Sequence, residues 1–160
     1  MKVEKLSLDE ADLRLLRAMQ QDASLSQAEL GEQSGVSASQ VSRRLARLRE
    51  GGVLRGVVGV IDPDLAGLTC TAIIRVRLRD HAVATVRAFR DLVERMNEVT
   101  LCVMTTGETD YLIKVVARDL PHFQEIVQLK LLRCAAIAHM ESSIVLEHLK
   151  DTTALPLEYV

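Results

Sequence analysis

The stretch from Ser26 to Gly52 leaves the chain the least freedom. Ser26 precedes Glu29 by three residues, and Ser37 precedes Gln40 by three. In such a pair the serine hydroxyl accepts from the backbone N–H of the later residue, whose side chain reaches back to the serine N–H. Two of these capping boxes with Gly35 between them predict two short helices joined by a tight turn. Ala28 and Leu30 point inward from the first helix. Val41, Leu45 and Leu48 form one buried stripe on the second, which Gly51 and Gly52 end. Upstream, Leu8, Ala11, Leu15, Leu16 and Met19 keep helical spacing from Ser7 or Asp9 onward, up to a break at Asp22 to Leu25. Asp9, Glu10 and Asp12 sit where the positive end of that first helix favours acids.

With the stripe inward, Ser39, Gln40, Ser42, Arg43, Arg44 and Arg47 lie on the open sides of the third helix. The segment Ser37 to Arg55 holds five arginines against one glutamate, a local charge of +4 in a chain of 160 residues that carries −2 overall. Short polar residues near the N-terminus and arginines further along are the layout of a recognition helix in a helix-turn-helix. There the first turns meet base edges in the major groove and the cations meet phosphates. On this reading Gln40 and Arg43 contact bases, Gln being able to bond adenine and Arg guanine bidentately. Arg44, Arg47 and Arg55 contact phosphates, and Ser37, Ser39 and Ser42 complete the DNA-binding set. The plainer alternative is a solvated basic face on a three-helix bundle; two capped helices around a glycine turn favour DNA.

Composition narrows the partner. With two Phe, two Tyr and no Trp the chain lacks stacking platforms for single strands or RNA, which leaves double-stranded DNA. No run approaches the ~20 apolar residues of a membrane span. Met1 to Asp12 carries no apolar signal core either, so a cytoplasmic protein with no membrane partner is expected. Cys70, Cys102 and Cys134 are isolated and odd in number, and no CxxC, HxxxH or HExxH spacing occurs. They read as small packing residues, with no metal and no cofactor expected.

After Leu54, Val57 to Ile61 reads as a short strand or wing, and Asp62-Pro63-Asp64 as a turn. The expected division is a helix-turn-helix domain over 1–62, a linker over 63–68 and a second domain over 69–160. In the second domain Thr69 to Arg79 alternates, with Cys70, Ala72, Ile74, Val76 and Leu78 on one side. A helix with Val86, Phe89, Val93 and Met96 inward follows. Next come the strands Val99 to Thr106 and Tyr111 to Ala117 around a turn at 107–110. Asp119 caps a helix with Pro121 in its first turn and Phe123, Val127 and Leu131 inside, and Ile137 to Leu149 closes as a strand. The order βαββαβ is the ferredoxin-like split arrangement, so the chain is α+β: a winged helix-turn-helix followed by a ferredoxin-like domain. Helices on one sheet face leave the other bare. The side bearing Val99, Leu101 and Val103 is expected to bury against a second copy, forming a homodimer.

From Leu8 to Leu157 the chain resembles the Lrp/AsnC family of transcriptional regulators. The likeness rests on Leu8-Asp9 and Asp12 with Leu15-Leu16, Leu25-Ser26 with Glu29-Leu30, and Gly35-Val36-Ser37. It continues in Arg44-Leu45 with Arg47-Leu48, Gly52-Val53-Leu54, Asp62-Pro63 and Gly67. Thr106-Gly107 with Asp110-Tyr111-Leu112 is similar to the family's ligand-domain signature, and Lys150 with Leu155-Pro156-Leu157 to its tail. The resemblance implies a dimeric or octameric repressor or activator that senses a small effector, commonly an amino acid, between subunits near Gly107 to Asp110. Chemically, N–H groups at Gly107 suit a carboxylate and Asp110 suits an ammonium, with Thr105, Thr106 and Ser142 as further effector-binding candidates. Gly107 and Asp110 could instead serve only to close a hairpin. Two stretches depart from the family pattern: Asp22-Ala23-Ser24 lacks the Gly-Arg common there, and Arg133 to Ile137 lacks the usual Pro-Gly.

Two other readings share this layout. Sirohaem decarboxylases resemble it but carry a His- and Arg-rich strand pair where Leu101 to Asp110 has neither, so no catalytic residues are expected. An architectural DNA-binding protein without an effector is the other.

Overall fold

The computed structural model describes residues 6–159. They form two compact units, one running up to Val60 and taking back the chain from Lys150, the other Ile61–Leu149.

The first unit is built on α1 (Glu10–Gln21), α2 (Gln27–Ser34) and α3 (Ala38–Glu50). Both serine capping boxes are formed. A third, not read from the sequence, pairs Asp9 with Asp12 at the start of α1. Leu15, Leu16, Leu30, Val41, Leu45 and Leu48 make the core, each such burial worth ~1.5–3 kcal/mol. Gly35 ends α2 at φ 72°, a left-handed conformation that favours glycine. Gly31 matters through space: a Cβ there would stand 2.6 Å from the Val36 carbonyl oxygen. Its bare Cα lets the turn fold back so that the Val36 N–H donates to Gly31 O at 2.9 Å.

Within the structure the tail from Lys150, expected from the sequence to continue the second domain, makes its contacts with this unit. Gln20 clasps the backbone of Leu155, its Nε2 donating to the carbonyl at 3.1 Å and its Oε1 accepting from the N–H at 2.7 Å. Arg17 Nη2 donates to Leu157 O at 3.0 Å, and Leu157 packs against the helical core. The expected strand at Val57 to Ile61 is absent. Val58 and Val60 are 81% and 88% exposed, because a strand needs a neighbour for its N–H and C=O groups and one chain supplies none here. The helices of the winged motif are therefore present and its wing is not formed within one chain.

The second unit runs β1 (Cys70–Leu78), α4 (Val83–Glu94), β2 (Val99–Met104), β3 (Tyr111–Ala117), α5 (Leu120–Ile126), a π-helical turn (Val127–Leu131) and β4 (Ile137–Ile144). The sheet order is β2-β3-β1-β4 with every pair antiparallel, which is the ferredoxin-like βαββαβ arrangement. Ala72, Ile74, Val76, Ile113 and Val115 face the helices with Phe89, Ile126 and Leu131, and the Phe89 and Tyr111 rings stand 4.6 Å apart.

On the opposite face Leu101 and Val103 are 43% and 40% exposed. Val99, expected beside them, packs into the core instead. An irregularity between Val99 and Leu101 shifts the register by one residue, and a one-residue shift changes the face a side chain occupies. The last strand stops at Ile144, short of the expected Leu149. Val145 N–H makes a further bond to Thr71 O, beside the start of β1, and beyond it Leu146 and Leu149 are exposed. No described helix is long and apolar enough to cross a membrane.

Candidate nucleic-acid interface

Asp12 lies three and four residues before Leu15 and Leu16, so it shares their inward face, and its side chain is fully buried. A buried carboxylate must be paired to remain charged. Its Oδ2 accepts from Asp9 N–H at 3.0 Å, and its Oδ1 accepts from Arg44 Nη1 at 2.7 Å. Arg47 Nη2 donates to Oδ2. Arg44 Nη1 also reaches both oxygens of Asp9, at 2.9 and 2.8 Å. The cluster clamps α3 to α1. The Arg44 guanidinium, and then the Asp12 N–H, hold the Asp9 carboxyl down to about 2. Hydrogen bonds to Asp9 and then Asp12 raise the pKa of Arg44 above the usual guanidinium value.

The N-terminus of α3 is equally ordered. Ser37 Oγ accepts from Gln40 N–H at 3.3 Å and shares a hydrogen bond with Ser39 Oγ at 3.0 Å. Gln40 Oε1 accepts from Ser37 N–H at 3.0 Å. Gln40, Ser39, Ser42 and Arg43 are exposed along one side of the helix, Arg47 and Arg49 lie nearer its end, and Arg55 follows it. Arg43, Arg49 and Arg55 have no ion-pair partner among the described residues, whereas Arg44 and Arg47 face carboxylates. The basic face expected from the sequence is exposed, and its anchor is Asp12, a residue not among those expected. The signal was available: an aspartate on the apolar stripe of α1 requires a cation from a neighbouring helix. Arg49 is a further exposed arginine in the last turn of α3, beyond those expected from the sequence to contact DNA.

In the second unit, residues 105–110 form the loop between β2 and β3. Thr105 N–H donates to Asp110 O at 2.9 Å and Thr105 Oγ1 to Thr109 O at 2.9 Å. Gly107 has φ 110°, which favours glycine, and Thr106 beside it is exposed. Asp110 has a structural engagement, since its Oδ2 accepts from Leu78 N–H at 2.7 Å; its Oδ1 lies 3.5 Å from His81 Nε2. His81 also lines an open groove of about 450 Å³ with Arg87 and Arg90 on α4. Ser142 is not brought to this loop within one chain. It pairs with Ile74 in mid-sheet on β4, two strands from β3, while the loop is level with Val76 and Leu78.

Two family descriptions match the chain: a winged helix-turn-helix DNA-binding domain over residues 8–55 and an Lrp/AsnC ligand binding domain over 71–155. The DNA-binding transcriptional activator DecR of Escherichia coli K12 is 32% identical over 94% of this chain and 99% of its own length. The HTH-type regulator AldR of Mycolicibacterium smegmatis is 32% identical over 92% and 86%. Among solved structures, the L-Met complex of a transcriptional regulator from Neisseria meningitidis superposes with a TM-score of 0.92 at 34% identity, covering 96% of this chain and 99% of that one. Escherichia coli AsnC gives 0.84 at 28%, covering 93% and 99%. The relatives carry regulator names and not enzyme names, so the sirohaem decarboxylase and architectural readings are not favoured. A helix-turn-helix with an exposed basic recognition helix, a ferredoxin-like ligand-binding unit and full-length likeness to such regulators place this chain in the Lrp/AsnC family of DNA-binding transcriptional regulators.

Proposed function

We propose that this regulator acts as a homodimer, or an octamer built from dimers, in the cytoplasm, and that its affinity for specific double-stranded DNA responds to an amino acid bound between subunits. The observation that carries the DNA part is the ordered face of α3. The Asp12 clamp fixes the helix on α1 while Gln40 and Arg43 near its N-terminus stay exposed, with Arg47, Arg49 and Arg55 toward its end. Gln40 and Arg43 meet base edges and Arg47, Arg49 and Arg55 meet phosphates. Arg44, read from the sequence as a phosphate contact, serves chiefly as the clamp because its Nη1 is engaged by two carboxylates. Ser37, Ser39 and Ser42 border this surface.

The second copy covers the sheet face that leaves Leu101 and Val103 half-open beside Ile73, Leu112 and Val116. A dimer sets two recognition helices about one DNA turn, ~34 Å, or a multiple of it apart on a pseudo-palindromic site. The effector lies at the subunit boundary near Thr105, Thr106, Gly107 and Asp110. Ser142 joins only if the partner brings it, which fits a ligand held between chains. The solved relative that holds L-Met supports the amino-acid class.

One pair of measurements tests this reading. Binding to a randomised duplex pool should weaken linearly in log salt, and Arg55→Ala should reduce that slope by ~1 if one phosphate contact is lost. A melting-temperature screen of the twenty amino acids should show an upward shift for one or a few, as binding to the folded state requires. Salt-independent DNA binding would overturn the first part, and twenty flat curves the second.

A further inference from the structure

Gln40, Arg43, Arg44 and Arg47 are spaced i, i+3, i+4 and i+7 on α3, so they share one face of the helix. Carboxylates from α1 meet two of the four there. Arg44 Nη1 lies 2.8 Å from Asp9 Oδ2 and 2.7 Å from Asp12 Oδ1, and Arg47 Nη2 pairs with Asp12 Oδ2. These two acids and two bases sum to zero charge. The two aspartates differ in access: Asp12 is fully buried, whereas Asp9, at the N-cap of α1, is 56% exposed beside the reading face. With its pKa held at about 2, Asp9 is charged wherever DNA binding is measured.

A carboxylate so placed does to Arg44 what a DNA phosphate would do, both of its oxygens lying within 2.9 Å of one guanidinium nitrogen. What counts is charge and not the number of donors. A guanidinium has five N–H groups but a single positive charge, and a phosphate that approaches Arg44 meets the negative charge of Asp9 as well. We infer that Asp9 holds down the affinity for DNA, its exposed carboxylate standing in for a phosphate on Arg44 and repelling the backbone that would otherwise be gripped there. The effect acts on phosphates and so carries no base preference. Gln40 and Arg43 keep the reading of sequence, and Asp9 sets the overall strength. This rests on the DNA-binding face assigned to α3 above and adds a residue from α1 that works against binding.

The informative variant is Asp9→Asn. Asparagine caps a helix as well as aspartate does, so α1 keeps its start, and Asp12 still holds α3 through Arg44 and Arg47. Only the charge is lost. Binding of the full chain to a randomised duplex pool is measured over a series of salt concentrations for the wild type, D9N and Asp9→Ser, a second neutral cap. The control is Glu10→Gln, which removes one negative charge at the next residue, where Glu10 faces Arg14 and Arg17 of its own helix at 3.6 Å. A melting curve accompanies each protein.

Both neutral variants at position 9 should bind about three- to tenfold more tightly at low salt, the scale of one unit charge ~4 Å away in water. Their log affinity should fall more steeply in log salt by ~1 for each recognition helix on the duplex. E10Q should keep the wild-type slope, and the sequences selected from the pool should be the same for all four proteins. Were Asp9 only a strut for α3, its loss would loosen the recognition helix and weaken binding, so the sign of the change separates the two roles. Equal or weaker binding by both D9N and D9S overturns the inference. So does an equal gain in E10Q, which would make the effect one of net charge alone. Failure of the DNA-binding reading itself looks different: no salt-dependent binding to any duplex by the wild-type protein.

Discussion

Asp12→Asn is the perturbation that most directly tests how α3 is held. The wild-type carboxylate is fully buried and accepts from Arg44, Arg47 and the Asp9 N–H. Asparagine keeps one acceptor but turns an NH2 toward a guanidinium, donor against donor. Hydrogen bonds to charged groups are worth ~1.5–3 kcal/mol, and breaking a buried pair costs ~3–5 kcal/mol. The arginines are not fully buried, their side chains being 20% and 44% exposed, so they rehydrate in part and the lower end applies. We expect a loss of ~2–3 kcal/mol in the helical unit. For a unit of this size ~1 kcal/mol moves the midpoint by ~4–8 °C, so its melting should fall by ~10–20 °C. Thermal and urea unfolding followed by circular dichroism measure this. A double-mutant cycle with Arg44→Gln should return a coupling of ~1–3 kcal/mol between the two positions. A midpoint within ~2 °C of wild type, or a coupling under ~0.5 kcal/mol, would refute the clamp.

Other expectations follow from the same geometry. Asp9 has a folded pKa of about 2 against an ordinary 3.8, so its contribution to stability is complete above 3.8 and is lost as pH falls through that window toward 2. Asp9→Asn, which still caps α1, should flatten the acid limb of urea midpoints recorded from pH 5 downward; an identical limb would argue against the Arg44 pairing. Gly31→Ala places a methyl 2.6 Å from Val36 O and should cost ~1–3 kcal/mol by urea titration, unlike Gly56→Ala, where no atom lies within 4 Å. Ending the chain before Leu155 removes the Gln20 clasp, the Arg17 bond and the Leu157 contact. It should lower the stability of the helical unit by ~1–3 kcal/mol while leaving the sheet unit's transition in place. Equal loss in both transitions would contradict the assignment of the tail to the helices.

The sequence was most legible where its signals were local. Capping boxes at Ser26 and Ser37 act within four residues, and the alternation of Ile74 to Leu78 with Arg75 and Arg77 reports which side of a strand is buried whatever pairs with it. Both were readable and both are seen. The candidate site was legible to the same depth: α3 and its arginines could be placed, but not which arginines were already engaged, since Asp12 meets Arg44 and Arg47 only when α1 packs on α3. The loop at 105–110 was likewise visible as a turn, whereas the bond from Leu78 N–H to Asp110 needed the register of β1 against β3.

What the sequence by itself determined is therefore the set of helices and core strands, the basic face and, through its order of motifs, the family. Each depends on neighbours close along the chain or on residue types in series. Only the tertiary structure decided that Val99 turns inward at an irregular register, that Val57 to Ile61 stays unpaired, that the tail returns to α1, and that Arg44 belongs to a clamp. Those outcomes turn on which groups distant in sequence meet, and a hydrogen bond or ion pair forms only where packing brings its two halves within about 3 Å.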